Sequence, residues 1–359
     1  MNLELYLLAG SIAALITYLT IFYLLKELKN FSAKKNKIQS MDRWGDSDKS
    51  HLGGISFFIC SCFVFIYVLS QNITEIRGIT LEFKLFVSIF AVILISVVVG
   101  LIDEKEILGP LSKIFFQIII CGVILWGGTI IIISDYFFIN VIFTVLWILF
   151  FINAVGLFDN IDLGLTAFSI ALLISLFIIG YINMASYMIL LIISTYIGAL
   201  IMFSYFNAYP SKIFMGEIGS LQIGSLLSLL SIQLIWNDLS TLSILDLIYN
   251  LLVLNIFNSI IFFDVMFVFY FRWLNSKPIL KGDTTHLSHR FISLGFPPNI
   301  FGIAVLFVNL IAFLIYYNAQ INSHISAQAT TITVFLFYIF LLILFCLFFG
   351  YKIRDKADV

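Results

Sequence analysis

Residues 85–104 read LFVSIFAVILISVVVGLIDE, so eighteen uncharged residues run up to Asp103 and Glu104 follows at once. A helix that spans a bilayer needs roughly 20 predominantly apolar residues. Inside lipid every backbone polar group must be paired within the chain, which a helix achieves. The stretch therefore predicts a membrane helix over about 84–102 that delivers two carboxylates to one membrane face.

The same pattern recurs along the 359 residues. Apolar runs at about 3–25, 52–70, 84–102, 113–134, 136–155, 165–182, 187–206, 220–236, 244–271, 299–318 and 330–351 predict eleven spans. Composition agrees: hydrophobic residues are 62%, charged residues 11%, and mean hydropathy is +1.10. Soluble domains run at about 45–50% apolar and about 25% charged, so soluble, disordered and collagen-like chains are excluded. A net charge of −1 argues against a nucleic-acid binder. The first run reads as a span, since it has no basic n-region and is too long for a signal-peptide core. Cys60, Cys62, Cys121 and Cys346 lie inside apolar runs without a Cys-x-x-Cys pattern and read as small core residues. With no internal period of 20–50 residues, residues 1–359 read as one membrane-embedded domain.

Lysine and arginine in the loops set orientation. Lys26, Lys29, Lys34, Lys35, Lys37, Arg43 and Lys49 follow the first span. Lys105 and Lys113, then Lys212, then Arg272, Lys277, Lys281 and Arg290 continue the bias in alternate loops. Lys352, Arg354 and Lys356 place the C-terminus on that same side, which predicts N-terminus outside and C-terminus cytoplasmic. Eleven spans and opposite termini agree with each other.

In so apolar a chain the polar residues carry the information. A charge at bilayer depth costs roughly 2.5–3.5 kcal/mol on insertion scales. Asp103, Glu104, Glu106, Asp159, Asp162, Glu217, Asp264, Asp283, His286 and His289 all fall at the cytoplasmic ends of the predicted spans. Carboxylates from several loops on one face suit a divalent cation and phosphate, because Mg²⁺ takes one or two carboxylates plus substrate phosphates. Solvated loops of mixed charge are the plainer alternative.

Each string has its own logic. His51-Leu52-Gly53-Gly54 opens a span with paired glycines, which allow close packing. Asp103 and Glu104 at a helix C-terminus oppose its dipole, so a cation is expected nearby. Asp159 and Asp162 are three apart and would share a helix face, or would simply cap the next helix. In Asn207-Ala208-Tyr209-Pro210-Ser211-Lys212-Ile213-Phe214-Met215-Gly216-Glu217-Ile218-Gly219-Ser220, Glu217 sits between glycines just before a helix N-terminus, where backbone N–H groups suit phosphate. His286-x-x-His289-Arg290 offers phosphate or metal contacts.

Together and in this order, the strings between about 45 and 295 resemble those of the polyprenyl-phosphate N-acetylhexosamine-1-phosphate transferases, whose superfamily includes the phospho-N-acetylmuramoyl-pentapeptide transferases. Phe214 to Ser220 resembles the family's Phe-Met-Gly-Asp-x-Gly-Ser, Gly100 to Glu104 its Gly-x-x-Asp-Asp, and residues 286–291 its His-x-His-His-Arg-Leu. The resemblance implies an all-α polytopic enzyme of the bacterial inner membrane with its site on the cytoplasmic face. In the implied reaction a polyprenyl phosphate attacks the β-phosphorus of a UDP-sugar and UMP leaves. Mg²⁺, with Mn²⁺ as the substitute ion, is the implied cofactor, and a homodimer is compatible with it. Carried over by position, Asp103 is the base or nucleophile acting near the acceptor phosphate with Glu104 beside it, and Glu217 is a metal ligand, with Asp103 as the second. Leu157, Asp159, Asp162, Asn207 and Phe214 line the nucleotide pocket, and Lys113, His286, His289 and Arg290 hold phosphate or sugar.

The chain departs from the family pattern at defined points. Glu104 and Glu217 stand for aspartates. Asn-x-x-Asp-Gly-x-Asp-Gly becomes Gly156 to Leu163, with Asn160 and Leu163 in place of the glycines, and Ser288 replaces a histidine. Without three consecutive histidines, the expected donor is a simple UDP-N-acetylhexosamine, UDP-N-acetylglucosamine first, with undecaprenyl phosphate as acceptor and a cell-envelope polysaccharide as the eventual product. The alternatives are the muramoyl-pentapeptide activity, a secondary transporter using Asn250, Asn255, Asn258 and Asp264 as a polar path, and a scaffold that has lost catalysis.

Overall fold

The structure, a computed structural model, describes residues 3–34, 49–72, 81–106, 108–236, 251, 254–255, 257–274 and 286–321. Its helices are α1 (Leu3–Lys34), α2 (Ile55–Asn72), α3 (Leu81–Glu106), α4 (Pro110–Trp126), α5 (Phe137–Phe158), α6 (Gly164–Ile182), α7 (Tyr187–Asn207), α8 (Gly216–Ser231), α9 (Ser259–Leu274), α10 (Leu287–Ser293) and α11 (Pro298–Ile321). α8 ends in a π-helical turn, Ile232–Trp236. Among the described residues, seven helices are long and apolar enough to cross a membrane, and Ile55–Gln71, Pro110–Trp126 and Ser259–Tyr270 are shorter apolar helices. The chain is thus an all-helical, multi-pass membrane protein. The expected span at 330–351 lies outside the described residues, as does the start of the one at 244–271.

The fourth expected span is too long. The run 113–134 is uniformly apolar, but its helix stops at Trp126. Gly127 and Gly128 break it, Gly128 at φ +92°. The following Ile-rich segment is not helical. Its amides are held by side chains instead: Thr144 Oγ1 accepts from Ile131 N, and Asn140 Oδ1 accepts from Ile133 N and Ser134 N. This satisfies amide donors of the non-helical segment, while Gly127 N, Gly128 N and Thr129 N donate to the last carbonyls of α4.

α8 is the centre of the bundle, packed on α3 and α5, while α7 packs on α1 and α6, and α11 on α6. Of the α8 span, 94% is buried. Its serines explain how a helix of modest hydropathy is tolerated there. Ser225 and Ser228 donate to carbonyls three or four residues back, so their hydroxyls are satisfied within the helix. Ser96 of α3 lies 3.4 Å from Ser225 across the interface. Small residues also let backbones approach. At Gly100 a Cβ would fall 2.5 Å from the Ile218 Cα, so α3 and α8 touch at this point only because position 100 is glycine. That contact lies one turn from Asp103 and one residue from Glu217.

Candidate active site

The C-terminal ends of α3, α5 and α7 and the N-terminal ends of α4, α6 and α8 meet at one end of the bundle, joined by hydrogen bonds between their polar residues. At the centre stands Lys113 from the first turn of α4. Its ammonium lies 3.0 Å from Asp103 Oδ2 and 2.9 Å from Glu217 Oε1. Asp103 is only 2% exposed, and its second oxygen accepts from Leu108 N at 2.7 Å. Glu104 is exposed beside it. Glu217 occupies the first turn of α8, where the helix dipole favours a carboxylate.

The approach to Glu217 is fixed by backbone. Gly216 has φ +71°, and a Cβ there would lie 1.9 Å from the His51 carbonyl oxygen. Only glycine meets both conditions. The strand-like segment at 49–54 docks alongside: Phe214 N donates to Ser50 O, Gly53 N to Phe214 O and Gly54 N to Met215 O. This carries the Lys49 ammonium to 5.3 Å from the Phe214 ring and the His51 ring to 5.2 Å from it. Lys49 and His51 are therefore site residues that the sequence reading did not assign. Their signal was the Gly53-Gly54 pair, which permits the docking, but the partner segment lies some 160 positions away in sequence.

Asp159 and Asp162 correct the expectation of a shared helix face. Both lie in the connection between α5 and α6, with Asp159 as the residue just past α5. Leu163 then takes φ +67° before α6, a left-handed conformation that costs a side-chain-bearing residue about 1–2 kcal/mol. Neither acid caps α6 through its side chain. Asp162 Oδ2 instead accepts from Ser211 N at 3.1 Å. Asp159 retains some surface but is crowded by protein atoms. That desolvation, with the charges of Glu217 and Asp162, pushes its carboxyl up to about 7.

Asn207 is buried. Its Oδ1 accepts from Leu163 N and Thr166 Oγ1, and its Nδ2 donates to Ile213 O. It therefore binds the α6, α7 and α8 ends together beneath the cleft. Leu157 and Phe214 remain partly exposed.

The histidine segment reaches the site from the far side. His286 is 3% exposed, with Nδ1 2.8 Å from Asp264 Oδ2; the other Asp264 oxygen accepts from Leu287 N at 2.8 Å. His289 lies on α10, its ring 6.4 Å from that of His286. Arg290 sits with Cζ 4.6 Å from the Phe267 ring centroid. Ser288 donates to Asn160 Oδ1 at 2.5 Å, so α10 is tied to the Asp159–Asp162 connection. Asp264 thus supports the site floor. Asn255 and Asn258 donate through their amide nitrogens to the backbone carbonyls of Leu251 and Leu254, four residues back, and Asp264 pairs with His286.

Among the described residues no group of three or more His, Cys, Asp or Glu is arranged to hold a metal. Asp103 and Glu217 converge on the Lys113 ammonium.

The profile of glycosyl transferase family 4 matches residues 86–235, from α3 through the end of α8. A Bacillus subtilis (strain 168) protein named probable undecaprenyl-phosphate N-acetylglucosaminyl 1-phosphate transferase is 28% identical over 349 residues, covering 93% of this chain and 89% of its own length. A Streptococcus agalactiae serotype Ia protein named phospho-N-acetylmuramoyl-pentapeptide-transferase is 33% identical over 256 residues, covering 64% of this chain and 73% of its own. A Streptococcus pneumoniae serotype 19F protein of the same name is 30% identical over 259 residues, with 67% and 72% covered. The chain belongs to glycosyl transferase family 4, the membrane sugar-phosphate transferases.

Proposed function

We propose that the protein transfers N-acetylhexosamine-1-phosphate, with N-acetylglucosamine-1-phosphate favoured, from a UDP-sugar to undecaprenyl phosphate at the cytoplasmic face of the bacterial inner membrane. The lipid-diphosphate sugar would begin a cell-envelope polysaccharide. The observation that carries this reading is the Asp103–Lys113–Glu217 constellation, three charges from three helices at the end of a membrane bundle. A lipid phosphate travels in the membrane surface and meets the cleft there. The lysine and arginine bias of the loops supports the cytoplasmic side, and the long match to the Bacillus subtilis protein supports the donor.

In the reaction an oxygen of the lipid phosphate bonds to the β-phosphorus of the donor. The bond from that phosphorus to the bridging oxygen breaks, and UMP leaves with the oxygen. Transfers of this kind are governed by positioning and charge neutralisation. Asp103 has one oxygen on Leu108 N and the other on Lys113. That commitment favours direct attack by the acceptor over a covalent enzyme intermediate, with Asp103 orienting Lys113 at the acceptor phosphate. Glu104, exposed beside it, is placed to receive a proton from the incoming phosphate. Asp159, Asp162, Leu157 and Phe214 form the nucleotide side, with Asn207 holding that side rigid. His289 and Arg290 meet the diphosphate or sugar, with His286 holding their turn in place.

Two carboxylates at one end of the bundle are the donor type that a divalent cation takes. Asp103 and Glu217, which converge on the Lys113 ammonium, would hold the ion together with the substrate phosphates. Bound Mg²⁺ would supply charge neutralisation for the diphosphate oxygens.

The test is UMP release by purified protein in detergent with undecaprenyl phosphate and a panel of UDP-N-acetylhexosamines, with and without EDTA. Release that needs both lipid and divalent ion supports the reading and names the sugar. Selective use of UDP-N-acetylmuramoyl-pentapeptide would assign the chain to the other branch. No release from any donor by folded protein would refute it.

A further inference from the structure

We propose that Asn160 and Ser288 act as a positioning pair that sets the distance between the nucleotide side of the cleft and the His289–Arg290 turn. Ser288 is 1% exposed and donates to Asn160 Oδ1 at 2.5 Å. The Asn160 amide is itself oriented: its Nδ2 donates to Leu157 O at 2.8 Å, which leaves Oδ1 facing Ser288. The bond therefore links two segments 128 positions apart, the Asp159–Asp162 connection and the first turn of α10.

The turn is gripped at two points. Asp264 holds His286 Nδ1 and Leu287 N from α9, and Asn160 holds Ser288 from the α5–α6 connection. The first grip fixes α10 against α9. The second ties it to the connection that carries the acids. Phe291, edge-to-face with Phe301 of α11 at 5.6 Å between ring centroids, adds apolar contact. A donor whose nucleotide and diphosphate ends lie on the two segments needs their spacing set before it binds. A preformed gap lowers the ordering cost of binding. The two departures from the family pattern noted above, Asn160 for glycine and Ser288 for histidine, are thus in contact with each other. A buried serine hydroxyl is too short to cross the cleft, and here it reaches only the asparagine. This inference rests on the proposed transfer reaction for its kinetic consequence, but the tie itself does not.

The experiment compares parent, Ser288→Ala, Ser288→Thr, Asn160→Ala and the Ser288→Ala/Asn160→Ala double variant. Steady-state transfer is measured against donor and acceptor separately, and hydrogen exchange of peptides covering 157–163 and 286–293 is followed without substrate. One hydrogen bond is a modest net contribution. We expect Ser288→Ala to raise donor KM about three- to tenfold, with kcat and acceptor KM within about twofold. Exchange should rise in both peptides together. Ser288→Thr should retain parental values, and the double variant should lose no more than the worse single one. A purely structural loss would lower the active fraction, and so apparent kcat, without a donor-selective KM change. Parental donor KM and parental exchange in Ser288→Ala would overturn the proposal, as would losses that multiply in the double variant. Coupled exchange in a protein that transfers nothing from any donor would leave the tie standing and refute the proposed reaction instead.

Discussion

The ammonium of Lys113 stands between carboxylates of two other helices, 3.0 Å from Asp103 Oδ2 and 2.9 Å from Glu217 Oε1. Removing one partner of a buried pair costs about 3–5 kcal/mol. Lys113 and Glu217 keep 26% and 27% of their side-chain surface, so water screens part of that here. Lys113→Met is expected to lower kcat by about 10²-fold. It should also lower Tm in a thermal-shift assay without divalent ions, and saturating Mg²⁺ should return part of the loss. An unchanged Tm would mean that the three charges do not act together.

Glu217 reaches Lys113 with a side chain one methylene longer than aspartate. Glu217→Asp withdraws the carboxylate by about 1.5 Å, and misplacement by about 1 Å can cost about 10²-fold in rate. The charge-conserving variant should therefore lose about 10- to 10²-fold in kcat, while Glu217→Gln loses more. Parental kcat in Glu217→Asp would show that the cleft adjusts to either arm.

Burial and the neighbouring Glu217 and Asp162 raise the Asp159 carboxyl to about 7. A raised carboxyl favours the protonated folded form, so its effect on stability is neutral below the ordinary carboxylate range. It grows unfavourable as pH rises to about 7 and is constant above. Asp159→Asn should therefore raise Tm at pH 8 relative to parent, with the difference closing toward pH 4. Donor kcat/KM in the parent should climb through about pH 7 as the carboxylate forms, and should be flat there in Asp159→Asn. Equal Tm differences at both pH values would contradict the assignment.

Gly216 combines φ +71° with a Cβ position 1.9 Å from the His51 carbonyl oxygen. Gly216→Ala is expected to destabilise by at least about 2 kcal/mol and to expose the 49–54 segment to limited proteolysis. A variant as stable and as protease-resistant as the parent would mean that this segment docks elsewhere.

The sequence made legible the membrane character and the charged residues that meet at one end of the bundle, for identifiable reasons. Apolar runs such as 85–102 and 187–206 leave the backbone no alternative to helix in lipid, and α3 and α7 cover them. Asp103, Lys113 and Glu217 stood out because charge is rare in such a chain. The helix break at Gly127-Gly128 was hidden because hydropathy does not register backbone conformation. The non-helical setting of Asp159 and Asp162 was hidden because Leu163 adopts a left-handed conformation that leucine seldom takes. The docking of 49–54 and the Asn160–Ser288 bond join residues far apart in sequence, and no local pattern encodes such pairs.

The central claim is tested most directly by the mass of the lipid product. Purified protein would be incubated with undecaprenyl phosphate, UDP-N-acetylglucosamine and Mg²⁺, and the extracted lipid and released nucleotide measured together. The account predicts a lipid diphosphate bearing one N-acetylhexosamine, with one UMP released for each lipid converted. A lipid monophosphate sugar accompanied by UDP, or unchanged lipid with folded protein and every candidate donor, would contradict it.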